Sequence, residues 1–598
     1  MRPIELLPMP APRYYDPSAK DPLFFYNNFV KPMIPDMIQM MDVGLHIDSN
    51  AVEDLRTTID DVLKTVTDRL EKNPLIKEYQ NSRLPEAQKA HAEKATAALR
   101  DIEYYKRPYK PGDITHRTWV INTYLIHLGR DDDTRPKWTL KDLKQYNIFL
   151  KDAFVKAIID KRPLKNNGAV VCGMANLAQY KLELWNRPRY EKAEEPVTLD
   201  EFNPGSSKQK QEFFALNKIP PKAFSKDTGE ASWGRDQLEE LLAENPDPLD
   251  DLFDVLEAFI DHSYSAIIKN NFLKAFDSFT IDGVLHGNFK LFGAKTFRPT
   301  SNNPNLLNAP SSGSIYAKPL KRCLVAPPGM VIYTADLKAL EDRVMANLSG
   351  DANKQSVFLD GLDGHSLNAC SYYAAKIEKM TTMGKNTNNV DYVREFYRRV
   401  DEDKNEVLSK IRFDSKAPTF KLAYGGYPDA DKGGVITQEI FDNYHNVLYP
   451  GITKYREKYV LPSTRTKGFI HLGLGCRMYC ADAGSSIRTL NNATAQFWSI
   501  LTLIAVNELN HQIREDRMED VVQVISTIYD SIYTQVVRDP EIIKWVNDTI
   551  IPIMCVQYLE DEVIHNEAIG DIGLNWADLH QVKNNASVTD IAEILKDL

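Results

Sequence analysis

Hydrophobic positions recur at helical spacing over most of the chain. Over residues 29–75 they return every three or four residues around a polar turn at 48–50, and this pattern predicts two long paired helices. Helical patterns return over 197–275 and dominate 346–459. The stretch 80–195 is polar and charge-rich, and we interpret it as an insertion with its own small fold. The chain is therefore expected to be largely helical.

Two stretches alternate in the manner of β-strands, and each leads to an aspartate. Residues 329–336 form a short apolar run that ends in Asp336, whereas 521–538 divides into two strands around Asp530. If these strands adjoin in one sheet, both carboxylates point into one site. A carboxylate at a strand end is more often a turn residue or a helix cap, so neither aspartate alone indicates a metal site.

Length and composition favour a multidomain protein without a membrane span. The chain has 598 residues, which suggests about three or four domains. No run approaches the roughly 18 apolar residues of a membrane helix, and the residues after Met1 do not resemble a signal peptide. A cytoplasmic location is therefore expected. The six cysteines are scattered, so reduced thiols and no zinc site are expected.

The charge balance narrows the classes of nucleic-acid-binding protein. A net charge of -10 argues mildly against a general nucleic-acid coat protein, because phosphate contacts normally require a basic chain. An enzyme with a local basic cleft stays compatible with this balance, since the distribution of charge governs binding in a groove.

The residues that begin at Asp336 carry the first recognisable motif. The segment DLKALEDR resembles the D-x-x-x-x-E-x-R motif of family A DNA polymerases, although Ala339 stands where Gln is common. This resemblance implies a mechanism with two magnesium ions, in which Asp336 and Asp530 are catalytic residues and metal ligands. It also implies that Glu341 is a steric gate against a ribose 2′-hydroxyl. Deoxynucleotides are therefore the expected substrates.

A second segment, RFDSKAPTFKLAYG, begins at Arg412 and is similar to the family's nucleotide-binding helix. Spacing by four residues keeps its key side chains near one helical face, namely Arg412, Lys416, Phe420 and Tyr424. The resemblance implies that Arg412 and Lys416 hold the triphosphate, with Lys416 also stabilising the leaving pyrophosphate. Phe420 is expected to discriminate against dideoxynucleotides, and Tyr424 to pack near the templating base. A cationic amphipathic helix with two core aromatics is the alternative.

Two further residues qualify this nucleotide site. His365 lies in LDGHS, which is similar to the family's E-D-I-H-T segment and implies another triphosphate contact; a lone histidine is more often a surface or core residue. Pro418 falls inside the second segment, and proline removes a backbone donor. We therefore expect the helix to start or bend near Ser415.

The third segment is Tyr529-Asp530-Ser531, where family members usually carry His-Asp-Glu. Ser531 replaces the expected third acid, so Asp336 and Asp530 form the whole predicted carboxylate set. His-Asp-Ser variants resemble some tailed-phage DNA polymerases and also single-subunit RNA polymerases, and Tyr529 departs from both.

Residues 296–310 are similar to the family's T-G-R-L-S-S-x-x-P-N-L-Q-N-I-P segment. The similarity implies that Arg298 reaches the minor groove at the primer end, where acceptors differ little between base pairs. The remaining predicted DNA contacts are Asn305, Asn308, Arg488, Asn492 and Gln496. The last three are spaced by four residues and match the family's template-primer contacts, with an exposed polar stripe as the alternative.

The resemblance as a whole implies an α+β right-hand polymerase, with an antiparallel palm sheet, helical fingers and thumb, and no intact 3′–5′ exonuclease domain. Asp101 and Glu103 have a suitable spacing for an exonuclease, but their charged helical context favours a solvated pair. The expected divisions are 1–25 (N-terminal segment, a junction remnant or docking segment), 26–80 (first thumb segment), 81–195 (thumb insertion), 196–275 (second thumb segment), 276–345 (first palm segment), 346–464 (fingers) and 465–598 (second palm segment).

The expected partners are primer-template DNA and dNTPs, with a separate exonuclease and a processivity factor at the thumb insertion as further hypotheses. The polymerase-only layout, the inserted thumb and Ser531 favour phage genome replication, in a host cytoplasm. A single-subunit RNA polymerase is one alternative, against which Glu341 argues. A noncatalytic nucleic-acid-binding subunit with a polymerase fold is the other.

Overall fold

The structure is a computed structural model that describes residues 22–105, 201–224, 229–310, 315–384, 390–423, 425–429, 436–480, 494–556, 559 and 562–598. The chain divides into two compact units, Met1–Thr65 with Ile260–Leu598 and, separately, Val66–Phe259. Every metal-binding and nucleotide-binding residue predicted above falls in the first unit. The predicted boundaries of thumb, palm and fingers remain predictions.

Helices make up most of the described chain, as the hydrophobic spacing predicts. A short strand, Leu45–Ile47, separates the two helices predicted within 29–75. In chain order the α-helices are Pro22–Phe25, Lys31–Val43, Ser49–Lys72, Pro74–Tyr105, Ser207–Leu216, Arg235–Glu244, Asp251–Ile267, Lys274–Phe279, Ala317–Arg322, Leu340–Ser349, Ala352–Leu359, Gly364–Tyr372, Ala374–Met380, Val390–Asp401, Glu406–Asp414, Lys416–Ala423, Gln438–Asn443, Pro450–Tyr455, Leu461–Lys467, Ile500–Glu515, Pro540–Met554 and Val588–Lys596. Short π-helical turns cover Tyr26–Val30, Ile268–Leu273, Tyr444–Leu448 and Arg456–Val460, and 3₁₀ turns cover Leu306–Asn308 and Phe497–Ser499.

Polar side chains start several of the helices predicted within 346–459. Asp351 accepts a hydrogen bond from the backbone N–H of Lys354, and Asn405 accepts one from Leu408. Asp363 caps the helix Gly364–Tyr372 by accepting from Ser366. Such caps satisfy backbone donors that have no partner inside the helix. They fix where each helix begins, and therefore where the residues of its first turn lie.

Thirteen strands are described: β1 Leu45–Ile47, β2 Thr280–Ile281, β3 Val284–Leu285, β4 Phe289–Lys290, β5 Thr300–Ser301, β6 Leu324–Val325, β7 Met330–Leu337, β8 Phe469–Gly473, β9 Cys476–Tyr479, β10 Val522–Ile528, β11 Ser531–Val537, β12 Ala568–Gly573 and β13 His580–Val582. The largest described sheet has the order β10-β11-β7-β12-β13, and its neighbouring strands are antiparallel. A four-stranded sheet has the order β2-β3-β1-β6, and β4-β5 and β8-β9 form two hairpin-like pairs. The strands of 329–336 and 521–538 therefore adjoin in one antiparallel sheet, as the predicted site requires.

Register in the large sheet decides which side chains share a face. Ser531 pairs with Asp336, and Tyr533 pairs with Thr334. These four residues share one face because directions alternate along a strand. On the other face, the Tyr333 hydroxyl donates to Asn547 Oδ1 at 2.7 Å, so this face packs on the helix Pro540–Met554. The face with Asp336 is therefore the one left for a site.

The second unit has a core built from aromatic rings. Phe202 stacks on Phe259 with centroids 5.5 Å apart, and Phe214 stacks on Trp233 at 3.9 Å. Arg69 Nη2 lies 2.8 Å from a carboxylate oxygen of Asp254 and ties the helix Ser49–Lys72 to Asp251–Ile267. Among the described helices of either unit, none has the length and apolar character needed to span a membrane.

Candidate active site

The two predicted metal ligands meet at one end of the large sheet. Asp336 is the next-to-last residue of β7, and Asp530 lies in the two-residue turn between β10 and β11. The backbone N–H of Leu337 donates to the carbonyl oxygen of Asp530 at 3.1 Å, which fixes the turn against the strand. The strands that lead to the two acids therefore adjoin in one sheet, which is the condition under which the sequence analysis places both carboxylates in one site.

Burial makes this pair of carboxylates electrostatically unfavourable. Burial raises the pKa of Asp530 to about 7, with Glu341 and Asp336 adding to the effect and Arg298 opposing it. Burial also raises the pKa of Asp336, and a hydrogen bond from the Ser531 hydroxyl acts in the opposite direction. Asp530 Oδ1 is buried and has no hydrogen-bond partner among the described residues. A buried acceptor without a donor is costly, and a cation would remove this cost.

The donor chemistry of the pair fits magnesium. Mg²⁺ prefers oxygen ligands and usually takes only one or two carboxylates, with water and substrate phosphates as its other ligands. Within the described ranges, no group of three or more His, Cys, Asp or Glu residues is arranged to hold a metal ion. The two carboxylates of Asp336 and Asp530 match the small number of carboxylate ligands that Mg²⁺ takes.

Glu341, the predicted sugar gate, forms an ion pair with Arg298. Glu341 lies in the first turn of the helix Leu340–Ser349, which follows directly after β7. The Arg298 guanidinium lies 5.6 Å from the centre of the Tyr529 ring. Arg298, predicted to contact the primer end, is therefore placed between the predicted gate and the turn that carries Asp530.

Arg412, a predicted triphosphate contact, forms a two-pronged ion pair with Asp363. Its Nε and Nη2 donate to the two carboxylate oxygens at 2.8 Å and 2.7 Å. Burial alone would raise the pKa of Asp363, but the hydrogen bonds from Arg412 and Ser366 outweigh it and lower this pKa. Asp363 also caps the helix that carries His365. One carboxylate thus connects two of the residues predicted to bind a nucleotide.

His365 lies close to the other predicted nucleotide-binding residues. Burial lowers its pKa, and nearby Lys416 and Arg412 lower it further against the opposing effect of Asp363. Its Nδ1 is buried without a hydrogen-bond partner among the described residues. The centres of the His365 and Phe420 rings are 6.0 Å apart. A neutral imidazole is therefore available here as a hydrogen-bonding group.

The residues predicted to share one helical face, Arg412, Lys416 and Phe420, are divided between two consecutive helices, and their common face stays a prediction. Arg412 belongs to Glu406–Asp414, whereas Lys416 begins Lys416–Ala423. The second helix begins at Lys416, which confirms the expected start or bend near Ser415. Pro418 lies in the first turn of this helix, where proline is tolerated. Lys416 makes no ion pair with any residue that the structure describes, and the Phe420 side chain is 47% exposed. Tyr424 lies outside the described residues.

The predicted DNA contacts divide into one described group and one that is mostly undescribed. Asn305 and Asn308 are exposed and line a cavity of about 690 Å³. Gln496 is half-buried, and Arg488 and Asn492 lie outside the described residues. The other polar residues of this cavity are Asn270, Asn271, Lys274, Ser278, Asn302 and Asn303. The cavity is thus an amide-rich groove with one cation.

Sequence reasoning missed three residues of this region. It gave no role to Asp363, although an Asp three residues before Ser366 is a recognisable helix-cap signal. It treated Ser531 only as a missing acid, whereas its hydroxyl donates to Asp336. It also passed over Asp571, whose pKa is raised by burial and by Asp336, and which pairs with Thr334 across β12 and β7. No local sequence signal marks Asp571.

Comparison with known proteins accounts for this combination of sheet, acids and helices. The family description "DNA polymerase family A" matches residues 174–536. This match covers more than half of the 598 residues, and the chain belongs to the family A DNA polymerases.

The relatives are distant in sequence and much longer. DNA polymerase I of Chloroflexus aurantiacus is 25% identical over 253 residues, 41% of this chain and 24% of its own length. The thermostable DNA polymerase I of Thermus filiformis is 24% identical over 281 residues, 46% of this chain and 29% of its own length. DNA polymerase I of Mycobacterium tuberculosis is 26% identical over 298 residues, 49% of this chain and 29% of its own length. The matched regions thus span less than a third of the length of these relatives.

A solved structure supports the fold alone. The POL domain of Pol1 from M. smegmatis, in complex with DNA primer-template and dNTP, superimposes with a TM-score of 0.51 at 19% sequence identity. The match covers 77% of this chain and 81% of that domain. The right-hand polymerase fold implied by the sequence motifs is consistent with this likeness.

Proposed function

We propose that this chain is a template-directed DNA polymerase that adds dNTPs to a primer 3′ end. The observation that carries the proposal is the Asp336–Asp530 pair, in which two half-buried carboxylates lie together without enough donors and burial raises the pKa of Asp530 to about 7. Membership of the family A DNA polymerases supports the same chemistry.

Asp336 and Asp530 would hold two magnesium ions. Such ions neutralise charge on the attacking and leaving oxygens of a phosphoryl transfer. The carboxylates bind them only when ionised, so the raised pKa of Asp530 couples ion binding to loss of a proton. The chain supplies position: β7 and the β10–β11 turn keep both acids at one end of a rigid sheet.

The triphosphate would be held by residues at the break between two helices. Arg412 and Lys416 contribute positive charge, and His365 contributes a buried ring nitrogen without a partner among the described residues. Arginine forks match phosphate oxygens as well as carboxylate oxygens. We infer that an incoming nucleotide exchanges with Asp363 for part of the Arg412 fork. Tyr424 keeps its proposed place near the templating base.

Sugar selection is assigned to Glu341 and Phe420. The ion pair with Arg298 holds Glu341 in one direction, so its bulk can exclude a 2′-hydroxyl. Phe420→Tyr should weaken discrimination against dideoxynucleotides, because the new hydroxyl can replace a contact that the 3′-hydroxyl normally makes. A competition between dATP and ddATP on one primer measures this ratio, and an unchanged ratio would refute the role of Phe420.

Duplex DNA is assigned to the asparagine groove and to Arg298. Amide side chains both donate and accept, and the minor groove offers acceptors that differ little between base pairs. Asn305 and Asn308 line this groove together with Lys274, which adds a phosphate-binding charge. Arg488, Asn492 and Gln496 are proposed to contact template and primer. Such contacts would grip DNA without reading its sequence.

The decisive experiment is primer extension with purified full-length chain, with and without Mg²⁺, using either dNTPs or rNTPs. We expect extension only with Mg²⁺ and a strong preference for dNTPs. Extension with rNTPs alone would instead favour an RNA polymerase, and normal binding of primer-template DNA without extension would favour a noncatalytic subunit.

We further propose a role in phage genome replication, in the host cytoplasm, with a separate 3′–5′ exonuclease as a partner. Ser531 in the third motif and the predicted insertion at 81–195 support this setting. A processivity factor bound by that insertion is included in the same proposal. Deleting the insertion should shorten the products made in one binding event more than it slows addition of one nucleotide, and equal losses would argue against this role.

A further inference from the structure

Ser531 has a structural partner that the two-metal proposal does not use. The residue stands directly opposite Asp336 in the β11–β7 register, and its hydroxyl donates to Asp336 Oδ1. Asp530 differs, because its Oδ1 is buried without a donor among the described residues. The two metal-site aspartates are therefore held in different ways: one by a hydroxyl, the other by the backbone of a turn.

The serine is supported in turn by its neighbours on the same face of the sheet. The Tyr533 side chain interacts with the side chains of Ser531 and Thr334, and its ring stacks on Trp576 with centroids 4.3 Å apart. These contacts hold Ser531 in place beside Asp336, to which its hydroxyl donates.

We propose that Ser531 is a positioning residue that fixes the carboxylate of Asp336 for metal binding. The inference rests on the proposed two-metal function. A carboxylate on a free side chain rotates among several rotamers, and binding an ion in one of them carries an entropic cost. A donated hydrogen bond selects one orientation in advance and occupies one lone pair of Oδ1. Groups that orient metal ligands in this way commonly change metal affinity when they are removed.

This role also explains why serine is a workable residue where family members usually carry an acid. A third carboxylate would add negative charge beside Asp336 and Asp530, although Asp530 Oδ1 is already buried without a donor among the described residues. A serine can orient the Asp336 carboxylate without adding negative charge. Its small side chain also fits a strand position that pairs directly with β7.

The test compares metal binding and catalysis in matched variants of the full chain. Ser531→Ala removes the donor, Ser531→Thr restores a hydroxyl, and Ser531→Cys keeps the size with a weak donor. Ser526→Ala is the control, since Ser526 is buried in neighbouring β10 and its hydroxyl has no partner within the described residues. Mn²⁺ affinity is measured by electron paramagnetic resonance, with a dideoxy-terminated primer to prevent turnover. The Mg²⁺ dependence of extension is measured separately.

We expect Ser531→Ala to weaken Mn²⁺ binding by roughly tenfold and to shift the Mg²⁺ requirement of extension upward to a similar degree. Ser531→Thr should restore both values, and Ser526→Ala should change neither. Ser531→Cys should weaken binding to an intermediate degree, and it decides the matter if Ser531→Ala unfolds at the assay temperature. Unchanged Mn²⁺ affinity in the folded Ser531→Ala and Ser531→Cys variants would overturn the proposal.

Failure of the polymerase assignment gives a different result. If the unaltered chain does not extend a primer, the Mn²⁺ titration still reports whether Asp336 and Asp530 hold an ion and whether Ser531 affects it. A Ser531 effect without extension would keep the positioning role and reject polymerase activity. A loss of extension in Ser531→Ala with unchanged metal affinity would reject the positioning role alone.

Discussion

The two charged regions of the candidate site differ in how far the protein itself compensates their charge. At the end of the large sheet, Asp336 and Asp530 are acids that lie together, and burial raises the pKa of each. At the break between two helices, the cation Arg412 is already neutralised by Asp363 through a two-pronged ion pair. The acidic region thus lacks enough compensating positive charge within the protein. In the basic region, the Asp363 carboxylate already occupies the Arg412 guanidinium that a phosphate group would bind.

This difference indicates how each region would respond to its ligand. Cations bound by the acidic region add charge compensation that the protein lacks, so they should stabilise the fold as well as enable chemistry. A nucleotide bound by the basic region replaces one anion by another, and the net gain in free energy is smaller. If Arg412 binds the nucleotide as proposed, Asp363 should therefore limit nucleotide affinity while it keeps Arg412 oriented. The following predictions test this contrast, beginning with the largest effect.

Removing either acid should nearly abolish extension. Asp336→Asn and Asp530→Asn each keep the size of the side chain but lose its charge, and we expect the rate of single-nucleotide addition to fall by at least about 1,000-fold. Rapid-quench kinetics at saturating dNTP measure this rate. Asp548→Asn is the matched control, because Asp548 pairs with Lys544 on the helix Pro540–Met554, away from both acids. Residual activity within tenfold of the unaltered chain would contradict the metal assignment.

The same substitution at residue 530 should stabilise the metal-free protein. The pKa of Asp530 rises from 3.8 to about 7 on folding, so its favourable contribution is complete below about pH 4 and is lost as pH rises through 7. Asp530→Asn removes the buried charge, and it should add on the order of 2–4 kcal/mol to the free energy of unfolding at pH 8 in EDTA.

Urea unfolding at several pH values measures this gain. The difference between Asp530→Asn and the unaltered chain should shrink as pH falls from 7 toward 4, because both then carry a neutral side chain at residue 530. Adding Mg²⁺ at pH 8 should stabilise the unaltered chain more than the variant. A gain that does not depend on pH would mean that an effect other than the buried charge is responsible.

Removing the basic fork should weaken nucleotide binding while the metal site stays intact. Arg412→Ala deletes a charge-assisted contact, and we expect the dNTP concentration for half-maximal rate to rise by about 10- to 100-fold. Lys410→Ala is a suitable control on the same helix, since Lys410 is exposed and pairs only with Asp414 among the described residues. Mn²⁺ affinity should be unaffected. A loss confined to the maximal rate would place Arg412 elsewhere in the mechanism.

Removing the charge of Asp363 should have the smallest effect, and it should strengthen nucleotide binding rather than weaken it. Asp363→Asn keeps a helix-capping side chain but removes the negative charge that competes for Arg412. We expect dNTP binding to tighten by about threefold, as for the loss of one partly screened ion pair. Asp360→Asn, an exposed neighbour, controls for net charge. Weaker binding in Asp363→Asn would show that orientation of Arg412 matters more than competition.

Sequence alone identified the two acids that lie together at the end of the large sheet and the helix break near Ser415. The strand patterns around Asp336 and Asp530 were readable because period-two alternation and a two-residue turn are local properties. The break was readable because Pro418 acts through its own ring. These features depend on neighbouring residues, which a single sequence displays directly.

The partners of these residues could not be predicted in the same way. Asp363 meets Arg412 across 49 residues of chain, and Arg298 meets Glu341 across 43. Ser531 contacts Asp336, which lies 195 residues away along the chain. The sequence predicts the two strands, but not which residue of one pairs with which residue of the other. Pairings of this kind depend on how helices and strands pack, and many different packings are compatible with one hydrophobic pattern.

The hairpin that carries Asp530 has a further consequence for how such a protein can change over generations. Its loop is only Tyr529 and Asp530, and Tyr529 has a positive φ of 53°, as tight two-residue hairpins require. Because side-chain direction alternates, inserting or deleting one residue in β11 would turn Ser531 away from Asp336. A substitution keeps the strand register, so each side chain of β11 keeps its direction. The hairpin can therefore diverge by substitution at residues 529 and 531, whereas an insertion or deletion in β11 would separate Ser531 from Asp336.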